Sequence, residues 1–189
     1  MSEYSKKYPW LKINSLYSSD DGSDYDAMDD IPEGWRIAFG DLLCEELDAA
    51  IKRAGVENDF EIYGVKVKFG CLKIYASHNT SPEIRDILDK YTVLSSNICI
   101  HCGKPDVHRI NVGVLVKPLC EGCYYETAYS DEAKYEDLKY AGDGKIRNSC
   151  IIPYACRDND TGIEEHKIYL KDTADKIRAR WSEREIGRS

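Results

Sequence analysis

The sequence predicts an α+β fold: a helix packed with an antiparallel hairpin, then a β-ribbon bracketed by two cysteine pairs, then a helical C-terminal extension. Three observations predict it. Phe39, Leu43, Leu47, Ala50 and Ala54 recur at three- and four-residue spacing, with Leu42 and Ile51 widening the stripe, which is the period of one buried helix face. Between Phe60 and Tyr75, apolar and polar residues alternate in two runs, as in half-buried strands. Cys99, Cys102, Cys120 and Cys123 form the pattern C-x2-C-x17-C-x2-C.

The chain of 189 residues is long enough for one sizeable core, or one core with a small satellite. It divides into an aromatic and acidic N-terminal segment (1–30), an α+β core (31–97), a ribbon (98–124) and a C-terminal extension (125–189). In the first segment, Tyr4, Tyr8, Trp10, Leu11, Ile13, Leu16 and Tyr17 are fit to dock on a core. The stretch from Ser18 to Asp30 has almost nothing apolar to bury and reads as a solvated loop. The main helix runs from about Trp35 to Ala54, with Gly55 as a left-handed stop. Phe60, Ile62, Val65, Val67 and Phe69 then alternate with polar neighbours, and Leu72, Ile74 and Tyr75 resume the pattern after Gly70-Cys71. That is a hairpin turning near Gly70, with Lys66, Lys68 and Lys73 on its wet face.

Ser81-Pro82-Glu83 opens a second helix, with Ser81 as N-cap and Pro82 at the first helical position. Its stripe is Ile84, Ile87, Leu88 and Tyr91. Beyond the cysteine ribbon, a short helix is expected over Asp131–Tyr140, capped by Ser130. A strand broken by Pro153 is expected over Cys150–Cys156. A last helix begins at about Ile168, with Leu170, Ala174, Ile177 and Trp181 on one side.

The spacing of the four cysteines lies in the range read as a zinc site. A Cys-x-x-Cys turn places two sulfurs about 2.3 Å from one ion, and two such turns complete a tetrahedron. Gly103, directly after Cys102, lets the chain turn tightly. Ile110, Val112, Val114, Leu115 and Val116 between the pairs are strand formers, so the expected object is a zinc ribbon holding one Zn2+. Four sulfurs fill the coordination sphere and leave no position for water, which predicts a structural rather than a catalytic ion. His101 and His108 fall inside the ribbon and read as surface residues or as donors to the ligands. Cys44, Cys71, Cys150 and Cys156 read as buried thiols, five residues between the last two being a poor spacing for a metal pair.

Composition sets limits on the setting. With 42% hydrophobic and 32% charged residues, the chain has the make-up of a globular protein. No apolar run approaches the roughly 20 residues of a membrane helix. The polar stretch from Met1 to Trp10 has no hydrophobic signal core, which predicts a cytoplasmic protein and reduced thiols. The net charge of −8 excludes a generic nucleic-acid coat. It is unevenly spread: Asp20, Asp21, Asp24, Asp26, Asp29, Asp30 and Glu33 crowd one stretch. The end of the chain carries Lys167, Lys171, Lys176, Arg178, Arg180, Arg184 and Arg188.

The stretch from about Ile31 to Cys123 resembles a recurrent group of small phage and prophage proteins. The likeness is carried by Gly34-Trp35 at a helix start and by the hairpin Lys66-Val67-Lys68-Phe69-Gly70-Cys71-Leu72-Lys73-Ile74-Tyr75. Cys99-Ile100-His101-Cys102-Gly103-Lys104-Pro105 and Leu119-Cys120-Glu121-Gly122-Cys123 complete it. The chain departs from the group at Asp106-Val107-His108, where glycine-rich residues are usual, and at Cys123, where many members have histidine. The resemblance implies a mobile-element origin, a bacterial host cytoplasm and a zinc-stabilised α+β domain, and it brings no catalytic residues.

By analogy with small phage proteins that block host defences, the expected function is inhibition of a host nucleoprotein such as a CRISPR effector nuclease. In that reading the acids from Asp20 to Glu33 imitate phosphates. The alternative is a regulatory DNA- or RNA-binding protein using Lys104, His108, Arg109 and Lys117 of the ribbon, the hairpin lysines, and Arg178 and Trp181 of the last helix. A nuclease of the His-Asn-His type is the third reading. Asp106-Val107-His108 and Asn111 suggest it, but the next histidine is His166, and no acid–base constellation assembles.

Overall fold

In the computed structural model, the structure describes residues 3–13, 26–77, 81–112, 114–127, 134–138 and 160–187. Its order is α1 (Glu3–Lys7), a 3-10 turn (Pro9–Leu11), α2 (Glu33–Trp35), a π-helical turn (Arg36–Gly40), α3 (Asp41–Ala54), β1 (Ile62–Lys68), β2 (Cys71–Ala76), α4 (Pro82–Ser95), β3 (His108–Val112), β4 (Leu115–Leu119), α5 (Glu121–Glu126), a 3-10 turn (Tyr135–Leu138) and α6 (Asp160–Ile186). The fold is α+β, with two two-stranded antiparallel sheets, β1–β2 and β3–β4.

The main core forms where the stripes of α3 and α4 face the hairpin. Trp35, Phe39, Leu43, Leu47 and Ile51 meet Ile84, Ile87 and Tyr91, and Leu72 closes the layer. Phe39 and Tyr91 stack at a tilt, 5.2 Å between centroids. Ser81 caps α4 by accepting a hydrogen bond from the Ile84 amide, and Gly55 ends α3 at φ 66°, where a residue with a Cβ would be strained. The expected helix over 35–54 is one helical stretch from Glu33, with a π turn at Arg36–Gly40. At that turn the absent Cβ of Gly40 would lie 3.0 Å from the Met28 methyl.

Strand β2 would be an open edge, and α4 closes it with side chains. Ser95 Oγ accepts from the Leu72 amide at 2.8 Å, and Thr92 Oγ1 donates to the Leu72 carbonyl at 2.8 Å. The hairpin turns through Phe69 and Gly70, both left-handed (φ 52° and 73°), as a two-residue connection requires. The register pairs Lys66 with Lys73, Val67 with Leu72 and Lys68 with Cys71, which puts Lys66, Lys68 and Lys73 on one face.

Three expectations need correction or restriction. The loop read over Ser18–Asp30 holds buried residues at its end. Asp26, Ala27 and Met28 are buried, because backbone pairing of Lys12 with Asp26 and of Ala27 with Leu11 stitches this strip to the docked Trp10–Leu11 segment. The last helix begins at Asp160 rather than near Ile168. Its first two turns, Asp160 to Lys167, hold Ile163 as their single apolar residue and so give periodicity no stripe to register. Of the helix expected over Asp131–Tyr140, the described part is the 3-10 turn Tyr135–Leu138. The strand expected over Cys150–Cys156 lies outside the described residues.

Helix α6 reaches the core through Ile177, with Leu170 and Ala174 packed beside it. It is fixed by polar contacts too. Lys90 of α4, wholly buried, ion-pairs with Glu46 of α3 and donates to Thr173 of α6 at 3.2 Å. Burial lowers the Lys90 pKa from its ordinary value despite the Glu46 carboxylate. Further along, Arg178 grips Asp106 through two bonds of 2.8 and 2.7 Å. No helix among the described residues is long and apolar enough to cross a membrane.

Candidate metal centre

The first cysteine pair sits in a turn that its own backbone shapes. The Cys99 amide donates to the Lys104 carbonyl at 2.8 Å, and the Gly103 amide donates to the Cys99 carbonyl at 3.0 Å. Gly103 is left-handed at φ 82°, which brings the chain round quickly enough for Cys102 to face Cys99. Ile98 then bridges to Pro105, closing the knuckle. The second pair lies where β4 runs into α5. Cys120 Sγ accepts from the Cys123 amide at 3.5 Å, which turns the chain so that both sulfurs point the same way.

The ribbon brings the two pairs together. His108 pairs with Leu119 and Val112 with Leu115 across β3–β4, and the Ile100 amide donates to the Pro118 carbonyl at 2.9 Å. The four sulfurs lie within 4.8 Å of one another, and Cys102 Sγ is 3.7 Å from Cys120 Sγ. A tetrahedral ion with metal–sulfur bonds of about 2.3 Å needs sulfurs about 3.8 Å apart, so the cluster has the size of one metal sphere. Cys99 and Cys123 are buried, and Cys102 and Cys120 are half-buried. Val107, Ile110, Val112, Leu119 and Tyr124 wall the site, and Tyr135 donates its hydroxyl to the Leu119 carbonyl at 2.5 Å.

The electrostatics fit a cation. Hydrogen bonds from Cys102 and Cys120 hold the Cys99 thiol below its ordinary value, while contacts with Cys120 and Cys99 push Cys102 up. Burial pushes Cys123 up to about 12. Four sulfurs this close repel one another when ionised, and a dication between them would let all four carry charge. The donor set, four cysteines and nothing else among the described residues, can hold one metal ion and offers no open coordination position.

The knuckle is also a docking surface for the helical core. The Gly34 amide donates to the Ile100 carbonyl at 3.1 Å, and Trp35 Nε1 donates to the Ile98 carbonyl at 2.8 Å. A Cβ on Gly34 would lie 2.4 Å from the Cys99 oxygen, and one on Gly103 would lie 2.6 Å from the Gly34 oxygen. These two glycines stand back to back. The Gly-Trp pair is visible in the sequence, but its role is not, since nothing local says that residue 34 meets residue 103.

The remaining candidate residues are scattered. Asp20, Asp21 and Asp24 lie outside the described residues. Asp26 is fully buried, accepting from Ser5 Oγ at 2.8 Å and from the Met28 amide at 2.9 Å, so its carboxylate is engaged inside the fold rather than displayed on the surface. Asp29 and Asp30 are exposed, with Arg36 3.9 Å from Asp29. His101, Lys104 and His108 are exposed on the ribbon, outside the sulfur cluster, while Arg109 is half-buried beneath the hairpin turn. Arg178 is held by Asp106 and Asp175, and Trp181 is half-buried. Cys44 is a buried thiol, pushed up to about 12 by burial and set 3.6 Å from the Met28 sulfur, and Cys71 is buried too. Compared with known protein-family models, with curated proteins and with solved structures, the chain matches none.

Proposed function

We propose that the chain is a non-catalytic binding protein of phage or prophage origin. Its four cysteines hold one Zn2+ as a structural staple, and it binds and inhibits a host defence nucleoprotein such as a CRISPR effector nuclease. The closed, all-sulfur donor set carries the non-catalytic part. Sulfur-only tetrahedral sites favour zinc, and a filled sphere leaves no water to activate. The binding part is supported by the resemblance in sequence of the helix start, hairpin and cysteine pairs to small phage proteins. Exposed charge supports it as well, at Asp29 and Asp30 and at Lys66 and Lys68 of the hairpin, with Lys73 half-buried beside them.

The metal is tested by elemental analysis of the purified chain and by cobalt substitution. One equivalent of zinc is expected, with cobalt giving tetrahedral thiolate spectra. Cys99→Ser or Cys120→Ser should lose the ion and unfold the ribbon. A folded chain free of metal would overturn the assignment. The partner is tested by affinity capture of the zinc-loaded protein from a bacterial host. Recovery of a nucleic-acid-processing complex is expected, and its inhibition should be measurable in a cleavage assay. Hydrolytic activity of the chain itself would refute the non-catalytic reading.

A further inference from the structure

The β1–β2 hairpin presents a face that the packing of the molecule does not explain. Lys66 and Lys73 are directly opposite each other in the register, and Lys68 follows on the same face. Like charges across a strand pair destabilise it. Among the described residues, none of the three forms an ion pair with a carboxylate. Elsewhere the same molecule pairs its cations closely, Lys90 with Glu46 and Arg178 with Asp106. The hairpin therefore keeps a repulsion that a single acidic substitution would relieve.

Aromatic rings frame these lysines. Tyr75 lies on the lysine face, 41% exposed, with Lys68 Nζ 5.3 Å from its ring centroid. Phe69 at the tip is 55% exposed and holds a left-handed backbone (φ 52°), a conformation costly for a residue with a bulky side chain. Neither backbone preference nor burial accounts for Phe69 there, and strain of this kind gathers where a side chain has a contact to make.

We infer that this face binds single-stranded nucleic acid, with Lys66, Lys68 and Lys73 on the phosphates and Tyr75 and Phe69 stacking on bases. The inference names a partner for the nucleoprotein-binding reading above and rests on it only for context. Lysines two residues apart on a strand are about 7 Å apart, close to the spacing of neighbouring phosphates on an extended strand. Exposed rings beside cations serve unpaired bases, whose faces are open, better than a stacked duplex. Three lysines on a chain of net charge −8 are too few for a duplex footprint.

The test is fluorescence anisotropy of labelled oligo(dT), oligo(U) and a duplex, titrated with the zinc-loaded full chain across a salt series. Single strands should bind more tightly than duplex. Three phosphate contacts give a slope of about −2 in log K against log salt, or about a 20-fold loss between about 50 and 200 mM. The variant Lys66→Gln/Lys68→Gln/Lys73→Gln should abolish binding while unfolding no earlier than the parent, because it removes repulsion. Tyr75→Ala should weaken binding about tenfold and leave the salt slope unchanged. No binding at low salt, a preference for duplex, or an unaffected triple variant would each overturn the inference. If capture still recovers a host complex in that case, the proposed function stands without this surface. If oligonucleotides bind and no complex is captured, the proposed function falls and this inference survives.

Discussion

Replacing Gly34 with alanine adds a methyl group where the first cysteine knuckle leaves no room. The new Cβ would stand 2.4 Å from the Cys99 carbonyl oxygen and 2.7 Å from both the Gly103 nitrogen and the Ile100 carbonyl carbon. All are backbone atoms, and none can swing aside. Relief to ordinary contact requires the helix start to retreat by about 1 Å. That retreat strains the Gly34 amide bond to Ile100 (3.1 Å) and the buried Trp35 indole bond to Ile98 (2.8 Å). Overpacking costs about 1–3 kcal/mol, and each weakened hydrogen bond costs about 1 kcal/mol more. The sum, about 3–5 kcal/mol, is a large part of the about 5–15 kcal/mol that holds a domain together. For a chain of this size it lowers Tm by about 6–20 °C. Thermal unfolding of the protein by circular dichroism measures it, with Gly64→Ala as the control, since a Cβ there meets nothing within 4 Å. A Gly34→Ala protein melting within about 2 °C of the parent would refute the packing argument.

Further predictions concern the anchors of α6. Glu46→Gln removes the carboxylate from the buried Lys90 and should cost about 3–5 kcal/mol in urea unfolding, whereas Glu46→Leu combined with Lys90→Met should cost far less. Because the Lys90 pKa is lowered in the folded state, the unfolded chain binds the extra proton. Stability should therefore rise as the pH climbs from the folded-state pKa of Lys90 toward the ordinary lysine value. Lys90→Met should lose that alkaline gain, and urea midpoints across the alkaline range test this. The Asp106–Arg178 pair lies in solvent, so a double-mutant cycle of Asp106→Asn and Arg178→Gln should give a coupling below about 1 kcal/mol that shrinks with salt. Arg178 holds Asp106 below its ordinary value, so this small term is present above the ordinary carboxylate pKa and is lost as the pH falls through the folded-state value.

What could be read in the sequence was whatever repeats at short range. Phe39, Leu43 and Leu47 announce their helix, Ser81-Pro82 its successor, and the spacing within each pair the cysteine cluster, because each signal lies within a few residues of its consequence. Asp26 misled, since an aspartate among aspartates has a solvated pattern. Only the pairing of Lys12 with Asp26 and the bond from Ser5 carry it inside. Lys90 left a trace that periodicity alone does not interpret: it sits three residues after Ile87 and four before Leu94, a cation within an apolar stripe. Glu46 sits likewise, between Leu43 and Ala50 on α3. Two opposite charges breaking two facing stripes are the signature of a buried pair, legible only once the helices are known to face each other. The start of α6 left no trace, because its first turns have no apolar face to register.

The hairpin turn has one more consequence. A Cβ on Gly70 would lie 3.3 Å from the Arg109 side chain, from Pro118 and from the Val116 oxygen, so the tip of one hairpin rests on the back of the other. Together with the contact at Gly34, this gives the cysteine ribbon two partners that reach it from different elements of the core. Cysteine ribbons are commonly thought of as cassettes, pieces that could be cut from one chain and spliced into another. This one is a keystone: lifted out, it would leave a helix start and a hairpin tip each facing the gap it had filled, and set into a foreign chain it would bring two glycine-sized sockets with nothing to fill them.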